Sequence, residues 1–251
     1  MISNYYLLPE FTPARLQDLV LWYEPTSFRG NTWYNLAPCY SDRNHGIAYG
    51  DVGLSTWHPQ FAPALEFHAE DDYVDLPLDV VFFDEMSIEI LFELYDYTDH
   101  GRVIGSTHSS GGYYEIRTYT ASNKIVYLLV GNGSEAYKVY FHLDDWYDKT
   151  HTVWTWKYNS GADETTLKAY KDGVYKDSKT FSGKVQLPDL NLRLGHWKFY
   201  GMKGKIYLAR FYHKVLSEDE IRHNCTHHPL YLLQRGIDPY EFIKRKKFYF
   251  L

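Results

Sequence analysis

Met86-Ser-Ile-Glu-Ile-Leu-Phe-Glu-Leu-Tyr95 decides the fold class. Met86, Ile88, Ile90, Phe92 and Leu94 fall on one side of an extended chain. Ser87, Glu89, Leu91, Glu93 and Tyr95 fall on the other, which is the period-two pattern of a strand with one greasy face. Outward from this stretch the pattern predicts further strands over 113–120, 125–130, 137–143, 151–158, 166–171, 174–181, 190–195 and 205–213. Turn-forming stretches divide them: Ser109-Ser-Gly-Gly112, Gly131-Asn-Gly133, Asn159-Ser-Gly161 and Lys171-Asp-Gly173. Short alternating segments between such breaks predict an all-β, two-sheet antiparallel sandwich rather than a βαβ protein. Lys171-Asp-Gly-Val174 predicts a tight hairpin, because Asp-Gly tolerates the positive φ angles of a type I′ turn. Helix is predicted at 13–21 and at 217–224, where Ser217-Glu-Asp-Glu220 reads as a capping box.

Composition agrees. The 251 residues are 45% hydrophobic and include 25 Tyr, 14 Phe and 7 Trp, residue types that favour pleated, half-buried surfaces. Two cysteines exclude a small disulfide scaffold, and the length suits one sandwich with a core of its own. No stretch has the roughly 18 uninterrupted apolar residues of a membrane-spanning helix. The start Met1-Ile-Ser-Asn-Tyr-Tyr-Leu-Leu8 lacks the basic, then apolar, order of a secretory signal. The net charge of −6, with a basic run only at Lys244-Arg-Lys-Lys247, argues against general nucleic-acid binding. Glutamine is scarce, four residues in all, a composition associated with thermophilic sources.

Several segments in order resemble the concanavalin A-like lectin/glucanase superfamily, in particular laminin-G-like jelly-roll domains. They are Leu19-Val-Leu-Trp-Tyr23, Trp33-Tyr-Asn-Leu36, Asn44-His-Gly46, Ala64-Leu-Glu-Phe67, Asp71-Asp-Tyr-Val74, Tyr170-Lys-Asp-Gly173, Gly204-Lys-Ile206, Arg210-Phe-Tyr212 and Leu216-Ser-Glu-Asp-Glu-Ile221. The resemblance covers about residues 19–225. It implies a jelly-roll domain over 1–226 with a short C-terminal helix, followed by a basic, aromatic extension over 227–251. It also implies a non-catalytic binding or structural module that recognises carbohydrate or a protein partner on a virion or cell envelope. Fold alone does not assign the function.

Candidate site residues follow from chemistry. Sugar binding on a sandwich uses exposed rings with polar groups beside them, and alternation puts Trp154, Trp156 and Tyr158 on one side of their strand. Two assignments are open. Aligned on the family's corresponding strand, Val153 faces the core and both tryptophans face outward with Glu89 and Glu93 as polar partners. On polarity it is simpler that Trp154 and Trp156 form the core stripe. Glu89-Ile-Leu-Phe-Glu93 is similar to the catalytic strand of β-glucanases, which gives a glycoside hydrolase alternative with Glu89 and Glu93 as the carboxylate pair. Leu91 stands where those enzymes carry a further acid. Related domains often hold a structural calcium ion, for which Asp71 and Asp72 are the candidate ligands. Tyr207 replaces the acid of the family's closing strand, and the alternative is that the two aspartates cap a turn.

His223, His227 and His228 beside Cys225 are either a loose zinc pattern, without a paired Cys-x-x-Cys, or simply the exposed polar C-terminus of the short helix. Cys39 and Cys225 are either bonded, since the terminal strands of this fold are neighbours, or two buried thiols. Asn132-Gly-Ser134 and Asn224-Cys-Thr226 match the glycosylation triplet. The extension either folds back on the sandwich or reaches a second copy of the chain.

Overall fold

The computed structural model describes residues 12–58, 62–76, 83–95, 102–107, 115–121, 124–145, 148–186, 191–197, 200–228 and 232. Numbered in chain order, one sheet runs β15 (Val174–Ser182), β14 (Glu164–Lys171), β13 (Thr150–Asn159), β8 (Glu85–Leu94), β19 (Gly204–Tyr212), β6 (Ala62–Phe67), β5 (Gly53–His58). β1 (Leu19–Tyr23) also pairs with β19, along its second half, while β6 pairs with the first half. The second sheet runs β12 (Ala136–His142), β11 (Ile125–Gly131), β10 (Glu115–Ala121), β9 (Ile104–Thr107), β16 (Leu192–Leu194), β7 (Tyr73–Leu76), β4 (Gly46–Tyr49), β3 (Thr32–Trp33), β2 (Phe28–Arg29). Among the described residues every pairing is antiparallel, as in the expected jelly-roll sandwich.

The stripe Met86, Ile88, Ile90, Phe92 and Leu94 is buried between the sheets, in one core with Val126, Leu128 and Val130 of β11 and Leu192 and Leu194 of β16. The other side of β8 is buried as well. A second apolar cluster there joins Leu91 and Val153 to Trp22, Tyr207 and Tyr212, and α1 (Glu218–His227) adds Ile221. The eight-stranded sheet is therefore covered on both faces along β1, β8 and β19, while β14 alternates and β15 is largely exposed. In the nine-stranded sheet, strands such as β12 and β7 alternate between core and surface.

α1 begins at a complete capping box: Glu220 N–H donates to Ser217 Oγ, and Ser217 N–H donates to the Glu220 carboxylate. Both central residues of the predicted hairpin have positive φ, 52° at Asp172 and 75° at Gly173. The helix predicted at 13–21 does not form. Arg15 is left-handed at φ 51°, Leu16–Asp18 make one 3-10 turn, and Leu19–Tyr23 is a fully buried strand. Pairing to β19 overrides the helical spacing, because an apolar and aromatic run is worth more inside a sheet than on an isolated amphipathic helix.

Candidate functional site

On the outer face of the nine-stranded sheet, alternation sends Ala48, Val74, Leu192 and Leu194 into the core and leaves Tyr49, Tyr73, Asp75 and Arg193 outside. Register then assembles them, since Tyr49 is opposite Tyr73 and Arg193 is opposite Asp75. The Tyr49 and Tyr73 rings stack at 4.9 Å and 21°. The Arg193 guanidinium lies 4.1 Å from the Tyr73 ring centroid, and its Nε donates to Asp75 Oδ1 at 2.8 Å. Burial, then the Arg193 charge, hold the neighbouring His196 imidazole below its usual range, so at neutral pH it packs near Tyr73 as a neutral ring. Tyr73 is thus fixed, while Tyr49 keeps 45% of its surface exposed. A rigid exposed ring beside a guanidinium–carboxylate pair offers a stacking surface, donors and an acceptor in one patch. Arg193 is already legible as the polar position of Asn191-Leu-Arg-Leu194. Its partners are not, because register across 118 residues is a tertiary property.

The structure decides the tryptophan question. Trp154 and Trp156 are buried in the inter-sheet core and Val153 faces the opposite layer, so neither indole offers a ring to a ligand. Their assignment as binding residues is corrected for that reason, and the polarity reading holds. Tyr158, at the strand end, is half-buried, with its hydroxyl donating to Asp163 and Lys184 Nζ 4.7 Å from its ring.

Glu89 sits in a closed polar network. Its carboxylate pairs with His151 Nε2 at 2.8 Å and accepts from Tyr212 Oη at 2.9 Å, Asn224 Nδ2 at 3.0 Å and Arg210 Nη1 at 3.5 Å. Arg210 Nη2 donates to Glu24 Oε1 at 3.1 Å, as does Trp22 Nε1 at 2.8 Å. Burial would raise the Glu89 carboxyl, yet Arg210, His151 and Tyr212 outweigh it and hold it at about 2. Burial would likewise lower His151, but the nearby Cys225 sulfur and Glu89 push it up to about 10. Burial keeps His228 below its usual range although Glu24 lies 3.9 Å away. Glu93 lies elsewhere, accepting from Tyr207 Oη at 2.7 Å with Lys149 Nζ at 3.5 Å. With Glu89 fully enclosed and Glu93 held by other partners, the two do not form an acid–nucleophile pair facing a sugar.

Asp72 is buried and its carboxylate accepts from the backbone N–H groups of Asp51, His68 and Ala69 at 2.6, 2.7 and 2.9 Å, while Asp71 is exposed. Oxygens so occupied do not fit a calcium ligand, and the turn-cap alternative describes this geometry. Among the described residues no three His, Cys, Asp or Glu side chains converge on a metal-sized space; His223 and His227 stack on each other instead. Cys39 is exposed, Cys225 is buried, and both are free thiols, which corrects the bonded and the doubly buried expectations alike. The Asn224 side chain is buried against Glu89, out of reach of a glycan, whereas Asn132 caps its own turn near the surface. Apart from Leu232, the extension beyond His228 lies outside the described residues.

A cleft of about 400 Å³ lies where β12 and β15 meet, lined by Tyr140, His142, Asp144, Lys171, Asp172 and Asp177 among others. Lys171 Nζ is bonded to Asp144 at 2.6 Å, and Asp177 accepts the Tyr140 backbone N–H at 3.1 Å, which closes part of the β12 edge to further strands.

The family model of the concanavalin A-like lectin/glucanases superfamily matches residues 68–222, and the chain belongs to that family, as a laminin-G-like member. Among solved structures, it is similar to domain 4 of AbnA, a GH43 extracellular arabinanase from Geobacillus stearothermophilus, solved with arabinotriose. The TM-score is 0.66 at 16% identity, over 83% of this chain and 98% of that one. It is also similar to the binding domain of botulinum neurotoxin DC, solved with rat synaptotagmin II, with a TM-score of 0.59 at 14% identity, over 82% of this chain and 51% of that one. No curated protein matches the sequence. These structural neighbours are carbohydrate-binding or receptor-binding domains, and at such identities the likeness is one of fold.

Proposed function

We propose that the protein is a non-catalytic binding module that recognises carbohydrate on the outer face of its nine-stranded sheet. The observation that carries this reading is the exposed Tyr49 ring stacked on a clamped Tyr73, with the Arg193–Asp75 pair beside them. A ring held in place loses little entropy on stacking with a sugar, and a bonded guanidinium–carboxylate pair can read hydroxyls without reorganising. The family assignment and the arabinotriose complex of the AbnA domain support the reading. Glycan-array binding by the wild type, lost in Tyr49→Ala and Arg193→Ala with the circular dichroism spectrum unchanged, is the expected result. Undiminished binding by both variants would move the site elsewhere.

A protein partner is the second reading, and the feature that favours it is the cleft, flanked by exposed Tyr140, Val174 and Tyr175. Display on a cell envelope or virion is the setting that suits such a module, with the extension after His228 joining copies of the chain. Light scattering of the full chain and of one stopped at His228 should then give different particle sizes; equal sizes would remove the joining role.

A further inference from the structure

We infer that the ligand of this face is a polysaccharide with carboxylates on alternate sugars, lying across the strands; the inference rests on the carbohydrate reading above. Strand register places Lys138, Leu129, Arg117, Gly105, Arg193 and Asp75 in one row over six successive strands. Three of the six positions are cationic, and they fall on every second strand, β12, β10 and β16. Neighbouring strands are about 4.8 Å apart, so the cationic positions recur at roughly 10 Å, close to the length of a disaccharide unit in an extended chain. Leu129 and Gly105, between them, add no charge.

The two ends of the row repeat one device. Lys138 Nζ lies 5.2 Å from the Tyr127 ring, as Arg193 lies 4.1 Å from Tyr73. In each pair the cation lies over the ring, which holds it in place for a carboxylate. Arg193 spends Nε on Asp75, and among the described residues Nη1 and Nη2 make no protein hydrogen bond, which leaves a fork for an incoming carboxylate. The whole chain carries −6, which disfavours a polyanion in general, whereas this row sets three cationic positions against one acid, Asp75.

The test uses the full chain with hyaluronan oligosaccharides, whose uronates alternate with neutral sugars, and with the same oligosaccharides after carboxyl reduction. The carboxylate form should bind at least tenfold tighter, with a preference that shrinks as salt is raised. Lys138→Gln, Arg117→Gln and Arg193→Gln should each reduce the preference severalfold, and the triple variant should abolish it while remaining folded by circular dichroism. Equal affinity for the two forms overturns the inference and leaves the carbohydrate reading standing, and so does a preference that survives the triple variant. A carboxylate-free sulfated dextran bound as tightly as hyaluronan overturns the carboxylate assignment. Loss of all binding, to these and to every neutral glycan, removes both proposals together.

Discussion

Glu89 has no exposed surface, yet it stays ionised because four donors converge on it. The linkage has a definite sign. Glu89, held at about 2 against an ordinary 4.5, contributes stability above pH 4.5 that is lost as pH falls toward 2. His151, raised from 6.5 to about 10, contributes fully below pH 6.5 and loses that contribution as pH rises through 10. His228, depressed, is neutral when folded and adds to the loss below pH 6.5. Thermal melting of the wild type against His151→Gln should therefore show a difference that is largest at or below pH 6.5 and shrinks toward pH 10; a constant difference would contradict the pairing. Glu89→Gln should cost about 3–5 kcal/mol in denaturant unfolding near pH 6.5, since it leaves the Arg210 and His151 charges undercompensated. A loss under 1 kcal/mol would mean that the network is not what holds the charge. None of this was legible in the sequence. Glu89 and Arg210 lie in strands, and Glu24 directly after one, that pair only in three dimensions, and a buried charge among apolar neighbours looks the same as a polar sheet face. Trp154 was ambiguous for a related reason, because alternation fixes which residues share a side but not which side is the core.

At the scale of elements, the hairpin and α1 are legible in the sequence because each is specified locally. Asp172 and Gly173 adopt the left-handed conformations that an aspartate tolerates and a glycine without Cβ takes freely, and Ser217 and Glu220 cap each other within one turn. Ser217→Ala should cost about 1 kcal/mol by denaturant unfolding, and an unchanged midpoint would show that α1 is held by packing alone. The 13–21 segment departs from its helical spacing because its partner, β19, lies about 190 residues away in sequence. The extent of the strands over 125–213 was recovered closely, since turn chemistry punctuates that half of the chain.

For the molecule as a whole, the covered centre of one sheet bears on where a ligand can act. Trp22, Tyr207, Ile221 and their neighbours bury the outer face over β8 and β19 under α1, which supports the nine-stranded sheet as the face proposed for recognition. Trp154→Ala should then unfold the protein more easily by about 3–5 kcal/mol, while Tyr49→Ala should leave stability within about 0.5 kcal/mol and weaken binding. The reverse pattern would invert the two faces. The superfamily was legible from ordered short motifs; the site was not, because Tyr49, Tyr73, Asp75 and Arg193 come from three separate strands and meet only through register. Chemical-shift mapping during titration with a bound oligosaccharide addresses the central claim most directly. The largest perturbations should fall on Tyr49, Tyr73, Asp75 and Arg193, and perturbations confined to the cleft between β12 and β15, or to the surface around α1, would contradict it.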